Sequence, residues 1–227
     1  FLQSREAYLL TPSILKYYNT TTPYTQLDFS QSENKSRKSE TRFNVFHSQN
    51  VNPYLNFTFR FDQAKSDGQY NYQENKNNYI TLYSSYNKDN WNIYGGFISN
   101  AVKGQENGGL EDESELLKAV DTEFLNVNLS SARSLFNSSY FFTNGEYKIG
   151  TYDKVNDSTD VFRPIVGLLY SVQYERHKQE FIEEENDTTF WDEIYYNEDY
   201  TKDSIRFNRV SKVFQLKQYE NSNKKVT

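Results

Sequence analysis

The amino-acid sequence predicts an all-β fold, an antiparallel meander of about eight strands that forms a transmembrane β-barrel or part of a larger one. Three observations favour it. Apolar and polar residues alternate over long segments, aromatic residues make up 17% of a chain whose mean hydropathy is −0.91, and longer and shorter connections alternate between the predicted strands. A barrel wall accounts for this combination, because one face of each strand meets lipid while the other face and the loops can be polar.

Alternation identifies the strands. In residues 55–62 every odd position is apolar and every even position is polar, and successive side chains of a strand point to opposite faces. The same period runs through most of residues 91–97 and 164–175. On this basis we predict eight strands, at 24–32, 41–49, 54–64, 78–87, 91–100, 137–150, 163–178 and 204–217.

The lengths of these strands favour a membrane protein. Several exceed the usual roughly 5–6 residues and match the roughly 9–11 that a tilted strand needs to cross a bilayer. In the last strand the apolar residues change face between Phe207 and Val210, which predicts a β-bulge there. Helical periodicity is scarce, and its best candidate is one or two turns at 113–120.

The connections differ in length in a regular way. Short connections at 50–53 and 88–90 alternate with longer ones at 33–40, 65–77, 101–136 and 179–203, and the segment 151–162 is intermediate. Transmembrane barrels have this asymmetry, with tight turns at one end and long loops at the other. We therefore predict a single β-barrel domain, or a fragment of one, over 1–227, with a leading segment at 1–23 and long outer loops near 101–136 and 179–203.

Composition and charge exclude several classes of protein. The longest apolar run, 165–170, is far shorter than the roughly 20 residues of a transmembrane helix. The 20 Tyr, 17 Phe and 2 Trp argue against a disordered chain, and the net charge of −6 argues against non-specific nucleic-acid binding. Without Cys there is no disulfide framework, thiolate metal site or Cys nucleophile. The chain starts at Phe1 without a signal segment, so we expect a processed chain or a stretch of a longer one.

Aromatic residues cluster near the ends of the predicted strands. Amphipathic rings are favoured where a membrane-spanning strand passes the lipid headgroups. A β-rich soluble core also uses such residues, so the rings alone leave both interpretations open. The candidates for a girdle of this kind are Tyr54, Tyr79, Tyr83, Tyr86, Trp91, Tyr94, Tyr140 and Tyr147.

Polar and charged residues within the strands indicate which face meets water. A charge at the lipid midplane costs about 2–4 kcal/mol, so these side chains are assigned to a lumen. There they set the preference of a pore, or they pair with one another and only brace the wall, and the sequence leaves both roles open. The lumen-facing candidates are Arg42, Asn44, Asn56, Thr58, Arg60, Asp62, Gln173, Glu175 and Arg206. The lipid-facing candidates are Leu55, Phe57, Phe59, Phe61, Trp91, Ile93, Phe97, Val166, Leu168, Tyr170 and Val172.

Six segments have a familiar order and spacing: 8–19 (YLLTPSILKYYN), 22–25 (TPYT), 47–53 (HSQNVNP), 68–70 (GQY), 106–109 (ENGG) and 203–209 (DSIRFNR). As a set, the chain resembles the Bacteroidetes-type putative porin family. The resemblance implies an outer-membrane β-barrel without catalytic residues or a cofactor. It also implies that this chain is the N-terminal part of a longer barrel. An eight-stranded barrel closed on itself is the competing expectation.

Other constellations carry less weight. His47 and Ser48 suggest a base and a nucleophile, but neighbours on a strand point to opposite faces. His47 and His177 lie on different predicted strands and are not expected to bind a metal. The acidic runs at 111–115 and 183–187 lack the spaced pattern of a calcium loop and are interpreted as solvated loops, with cation-bridged lipopolysaccharide as the alternative.

The function expected from these features is passive diffusion of small hydrophilic solutes through a channel in a Gram-negative outer membrane. The expected partners are outer-membrane lipids, lipopolysaccharide, the solutes and, as an option, other outer-membrane proteins, but no nucleic acid. No enzyme activity, metal or cofactor is expected. Two alternatives stay open: a non-conducting barrel subunit of a larger outer-membrane complex, and a soluble β-sandwich that binds glycans through exposed aromatic residues.

Overall fold

The chain is built almost entirely of β-strands. The structure is a computed structural model that describes residues 9–32, 39–118, 121–156, 159–184, 190 and 201–219. The strands are β1 (Tyr24–Gln31), β2 (Glu40–Asn52), β3 (Leu55–Ser66), β4 (Asn75–Lys88), β5 (Trp91–Gln105), β6 (Arg133–Asn156), β7 (Thr159–Glu183) and β8 (Thr201–Gln218). Short 3-10 helices occur at Pro12–Ile14, Glu113–Lys118 and Thr122–Phe124. Of the helices in the described ranges, none has the length and apolar character needed to span a bilayer.

The eight strands form one antiparallel sheet in which each strand pairs with the next along the chain. The predicted number and order of strands are confirmed, and all but β1 are longer than predicted. In the described residues β1 and β8 each pair along one edge only. The competing expectation of an eight-stranded barrel closed on itself is therefore wrong for this part of the chain, as is a sandwich of two sheets. The open meander is consistent with part of a larger barrel.

Tight turns and longer connections alternate along the sheet. Two residues separate β2 from β3 and β4 from β5, whereas 32–39, 67–74, 106–132 and 184–200 connect the other ends. In the second tight turn Asp89 adopts a φ of 34°, the left-handed conformation that two-residue hairpins of this kind require. Below, the end of the sheet with the tight turns is the short-turn end and the opposite end is the long-loop end.

The β6–β7 hairpin extends beyond its neighbours at the short-turn end. The predicted connection at 151–162 is wrong, because the ladder continues from Thr151 opposite Arg163 to Asn156 opposite Thr159. Scattered Asp, Lys and Asn residues hide the alternation here, although Tyr, Val, Phe and Thr have the strand preference that the hairpin uses. A register shift between Ile149 and Gly150 marks the base of the extension.

A cluster of buried hydrophobic residues lies on one face of the sheet. The segment before β1, residues 9–23, crosses this face and is called the N-terminal strap. The cluster consists of Tyr83, Ile98, Tyr140 and Phe142 on β4, β5 and β6, and the strap residues packed against it are Leu10, Leu15 and Tyr17. The strap therefore supplies the second layer that these rings and Ile98 need in order to be buried.

Candidate pore-lining face

On β3 the two faces are buried in the reverse of the order found in soluble proteins. On β3, Asn56, Thr58 and Asp62 are only 4%, 1% and 5% exposed. Phe57 and Phe59, between them in sequence, are 45% and 37% exposed. Phe is ordinarily among the most buried residue types and Asp among the least. We call the side with Asn56, Thr58, Arg60 and Asp62 the polar face and the side with Leu55, Phe57, Phe59 and Phe61 the phenylalanine face.

The register places every predicted lipid-facing residue on the phenylalanine face. Phe59 pairs with Leu82, which pairs with Phe97, and side chains directly opposite in a ladder share a face. At the short-turn end Trp91 lies against Tyr147, with ring centroids 4.5 Å apart. By the same alternation this face carries Leu55, Phe57, Phe59, Phe61, Trp91, Ile93, Phe97, Val166, Leu168, Tyr170 and Val172.

The residues predicted to form a girdle are divided between the two faces of the sheet, and Tyr54 lies in the tight turn between β2 and β3. Tyr86, Trp91 and Tyr147 lie on the phenylalanine face near the short-turn end. Four other rings occupy positions of the opposite parity and lie on the polar face, two of them buried at 5% exposure: Tyr79, Tyr83, Tyr94 and Tyr140. A position near a strand end does not determine which face of the sheet a side chain occupies, and these four rings lie on the polar face.

Eight of the nine predicted lumen-facing residues lie on the polar face, and Arg206 does not. Arg206 pairs with Lys178 and lies on the phenylalanine face. The pairing of β7 with β8 has no register shift, so the β-bulge predicted between Phe207 and Val210 is wrong. The apolar residues change face because the phenylalanine face itself becomes polar towards the long-loop end. There it presents Ser99, Asn137, Ser139, Arg176, Lys178, Arg206 and Asn208.

A carboxylate is held by two arginines on the polar face of β2 and β3. Asp62 accepts from Arg60 Nε at 2.5 Å and lies 3.7 Å from Arg42 Nη2. Asn44 also donates to it. The Asp62 side chain is 7% exposed, whereas those of Arg60 and Arg42 are 38% and 63% exposed. The anion is therefore covered and the guanidinium groups are what solvent meets.

A second cluster repeats this arrangement on β7 and β8. Arg209 forms a bidentate contact with Glu175, with Nη2 at 2.7 and 2.9 Å from the two carboxylate oxygens. Gln173 donates to Glu175 at 2.7 Å, and His177 Nε2 lies 3.2 Å from its Oε2. Glu175 and His177 side chains are 2% and 0% exposed, while Arg209 is 54% exposed. Bidentate geometry is the strong form of this pairing, so Glu175 anchors β8 to β7.

Neutral side chains form a hydrogen-bonded network between these charges. Ser48 contacts Thr58 at 3.0 Å, and Asn56 donates to Asn50 at 2.7 Å. Asn50 in turn donates to Asn19 of the strap at 2.6 Å. The network satisfies buried polar groups and connects the strap to β2.

Two further residues of the sheet, Asn100 and Tyr83, fix the strap across the polar face. The buried Asn100 side chain on β5 accepts from the Leu10 N–H at 2.9 Å and donates to the Leu10 C=O at 3.0 Å. On β4 the Tyr83 hydroxyl donates to the Lys16 C=O at 2.9 Å, and the Tyr17 ring packs edge-on against Tyr83. The strap thus runs from β5 past β4 to β2. Sequence reasoning identified 1–23 as a leading segment but missed this path, because the residues of the strap have no strand period.

The connections at the long-loop end pack on one another. In the β5–β6 connection Leu125, Leu129 and Ala132 are 1%, 3% and 2% exposed. Asn107 of that connection donates to the Asn71 C=O in the β3–β4 connection at 3.2 Å. The predicted outer loop near 101–136 is shorter, since β5 and β6 extend into it. Most of the other predicted loop, near 179–203, lies outside the described residues.

One loop carboxylate has a perturbed pKa. Asp67 accepts from the Ser39 hydroxyl at 2.5 Å and contacts Lys65 Nζ at 3.0 Å. The Ser39 hydroxyl, which has the larger effect, and the Lys65 ammonium both stabilise the ionised carboxylate, so the pKa of Asp67 is lowered. This contact joins the β1–β2 connection to the β3–β4 connection.

The other constellations stay apart. His47 lies on the phenylalanine face, where its Nδ1 is 2.8 Å from Thr25 Oγ1, and Ser48 lies on the polar face. His177 belongs to β7, away from His47 on β2. Within the described ranges no three His, Asp or Glu side chains are grouped in a way that could hold a metal ion.

Comparison with known proteins supplies the family. No curated protein and no solved structure matches the chain. The sequence model of one family, described as putative porin, matches residues 1–227, the whole chain. The antiparallel meander, the uncovered phenylalanine face and the covered polar face agree with that match. The chain belongs to the putative porin family.

Proposed function

We propose that this chain forms part of the wall of an outer-membrane channel through which small hydrophilic solutes diffuse passively. The observation that carries the proposal is the reversed burial on β3, with Phe57 45% and Asp62 5% exposed. An uncovered row of Phe is stable in hydrocarbon and costly in water. A row of paired charges on the other face is stable beside a water-filled lumen. Family membership supports the same assignment.

In this proposal the phenylalanine face meets the acyl chains of a Gram-negative outer membrane. The short-turn end faces the periplasm, and the long loops face outward against lipopolysaccharide, as in other transmembrane barrels. The lumen-facing residues are Arg42, Asn44, Asn56, Thr58, Arg60, Asp62, Gln173 and Glu175. Transport needs neither chemistry nor energy coupling, so the chain is not an enzyme in this proposal.

The polar face also favours one sign of charge. In both clusters the carboxylate is covered, at 7% and 2% exposure, while Arg42 and Arg209 are 63% and 54% exposed. Solutes that pass these clusters meet guanidinium groups, and exposed cations in a pore favour anions. We therefore expect the clusters on β2–β3 and β7–β8 to make the channel weakly anion-selective.

The experiment is reconstitution of the purified protein in planar lipid bilayers. We expect discrete steps of conductance and a reversal potential shifted towards that of chloride in a KCl gradient. Detergent without protein is the control. Folding is checked by the shift in gel mobility between unheated and heated samples. Folded protein that gives no conductance in the bilayer would contradict the proposed channel but would not contradict the barrel.

The N-terminal strap favours a second candidate, a non-conducting barrel subunit of a larger outer-membrane complex. The strap crosses the polar face and is held there by Asn100, Tyr83 and Asn50. A segment that crosses the lumen-facing side in this way would brace the barrel wall and obstruct the passage of solutes. Stoichiometric co-purification of other outer-membrane proteins, together with an absence of conductance, would select this candidate.

A further inference from the structure

A cavity of about 850 Å³ lies between the N-terminal strap and the polar face of β1 to β4. This volume is within the range of roughly 300–1,000 Å³ that small-molecule sites occupy. It lies on the face that we propose to line the lumen, so the inference drawn from it rests on the proposed function. A solute that enters the lumen can reach it directly.

Three aromatic rings form one side of the cavity. The rings of Tyr18 in the strap and Phe46 on β2 are 5.1 Å apart, edge to face. The ring of Tyr24, at the start of β1, lies 6.0 Å from that of Phe46. Tyr18 and Tyr24 are 36% and 51% exposed, so both rings present apolar area to the cavity. Rings held by other rings in this way form a rigid surface on which a flat ligand can pack.

A row of polar groups on β1 also lines the cavity. Alternate residues of β1 share a face, and the Tyr24 hydroxyl donates to Gln26 Oε1 at 3.1 Å. Gln26 Nε2 donates to Asp28 Oδ2 at 2.8 Å. An amide has two N–H donors and a carboxylate has about four lone-pair positions, so each group retains capacity for a ligand. Arg60 also lines the cavity, where it uses its Nε for Asp62 and has further N–H donors.

We propose that this cavity is a binding subsite for a neutral carbohydrate of one to a few sugar units. A pyranose has an apolar face of C–H groups that fits against the rings of Tyr18 and Tyr24. Its rim of hydroxyl groups both donates and accepts, as the row from Tyr24 to Asp28 requires. An anion is the poorer fit because Arg60 is paired with Asp62, Arg42 is not part of the lining, and the other charged lining residues, Lys16 and Asp28, carry opposite charges. A purely apolar ligand would leave the remaining hydrogen-bonding positions of the Gln26 amide and the Asp28 carboxylate unsatisfied.

The binding experiment uses the purified protein in detergent, with maltotriose and cellotriose as neutral probes and citrate as an anionic probe, followed by isothermal titration calorimetry. We expect saturable binding of at least one trisaccharide and none of citrate. Tyr24→Ala should weaken that binding about tenfold, because it removes the exposed ring face. Tyr24→Phe, which keeps the ring, should retain most of the affinity.

Tyr152→Ala is the matched control, since Tyr152 is a similarly exposed tyrosine (57%) on the β6–β7 hairpin, away from the cavity. It should leave the affinity unchanged. Absence of trisaccharide binding, binding of citrate alone, or equal losses in Tyr24→Ala and Tyr152→Ala would overturn the subsite. Conductance is recorded on the same preparation. Conductance without sugar binding contradicts the subsite alone, whereas sugar binding with a silent bilayer supports the subsite and contradicts the channel.

Discussion

The solvent that meets the phenylalanine face can be tested with one pair of substitutions on β8. Val210 and Val213 are the same residue type on the same strand, and they are 59% and 49% exposed. Val210 pairs with Tyr174 on the phenylalanine face, and Val213 pairs with Ser171 on the polar face. Val210→Arg and Val213→Arg therefore introduce the same side chain at similar exposure on opposite faces.

The two environments give different costs. Arginine on the lipid face costs about 2–4 kcal/mol at the bilayer midplane and less towards the interfaces. Val210 lies in the same row as Phe59 and Phe97 but next to the polar row of Arg176 and Asn208, so we expect an intermediate cost of about 1–2 kcal/mol. At about 1.36 kcal/mol per tenfold, the unfolding equilibrium of Val210→Arg should shift by about 5- to 30-fold. The side chain introduced by Val213→Arg meets water whether or not acyl chains cover the phenylalanine face. Its free energy of unfolding should therefore stay within about 0.5 kcal/mol of that of the native protein.

The assay is reversible unfolding by guanidinium in phospholipid vesicles, followed by tryptophan fluorescence. The chain has 2 Trp, of which Trp91 lies on the phenylalanine face and is 44% exposed. Its emission should shift to longer wavelength when hydrocarbon is replaced by water. Equal free energies of unfolding for Val210→Arg and Val213→Arg would refute the claim that acyl chains cover the phenylalanine face.

Three further predictions concern the polar face and the loops. Asn100→Leu removes both hydrogen bonds to Leu10, so the strap should detach from the polar face. The single-channel conductance should increase and proteolysis before β1 should be faster. Unchanged conductance would mean that the strap does not narrow the lumen. Arg209→Met leaves Glu175 covered without its cation, which should cost about 1–3 kcal/mol in unfolding experiments, discounted because Arg209 is half exposed. The pKa of Asp67 is lowered on folding, so its contribution to stability is present above its ordinary pKa and is lost as the pH falls through the lowered value. Amide exchange in the loops it joins should accelerate over that range of pH, and Asp67→Asn should abolish this dependence.

Strand alternation was a sufficient guide wherever one face is uniformly apolar. On β3 the odd positions Leu55 to Phe61 define the phenylalanine face without interruption, and their assignment to one face agrees with the register. The same logic failed at Arg206, because β8 continues past the apolar band to a level where the outer side is polar. A charged residue predicts the polar face only within the apolar band, because beyond that band both faces of the strand are polar.

The strap could not be predicted from the sequence, because its contacts depend on tertiary structure. Asn100 is a polar residue in the middle of a strand, which is the only local signal that its face needs a partner. The partner, the backbone of Leu10, is 90 residues away in sequence. The extension of the β6–β7 hairpin was missed for a different reason, since strand propensity alone, without a buried face, gives no period to detect.

In the part of the chain that the structure describes, the outer edges of β1 and β8 have no partner strand, which restricts how this sheet can exist in lipid. Each edge carries backbone N–H and C=O groups, and in hydrocarbon every such group left without a partner costs several kcal/mol. With 8 residues in β1 and 18 in β8, the open sheet is stable in a bilayer only if other strands satisfy both margins. Because β1 and β8 run in opposite directions in the meander, a continuation that is antiparallel throughout must add strands in an even number.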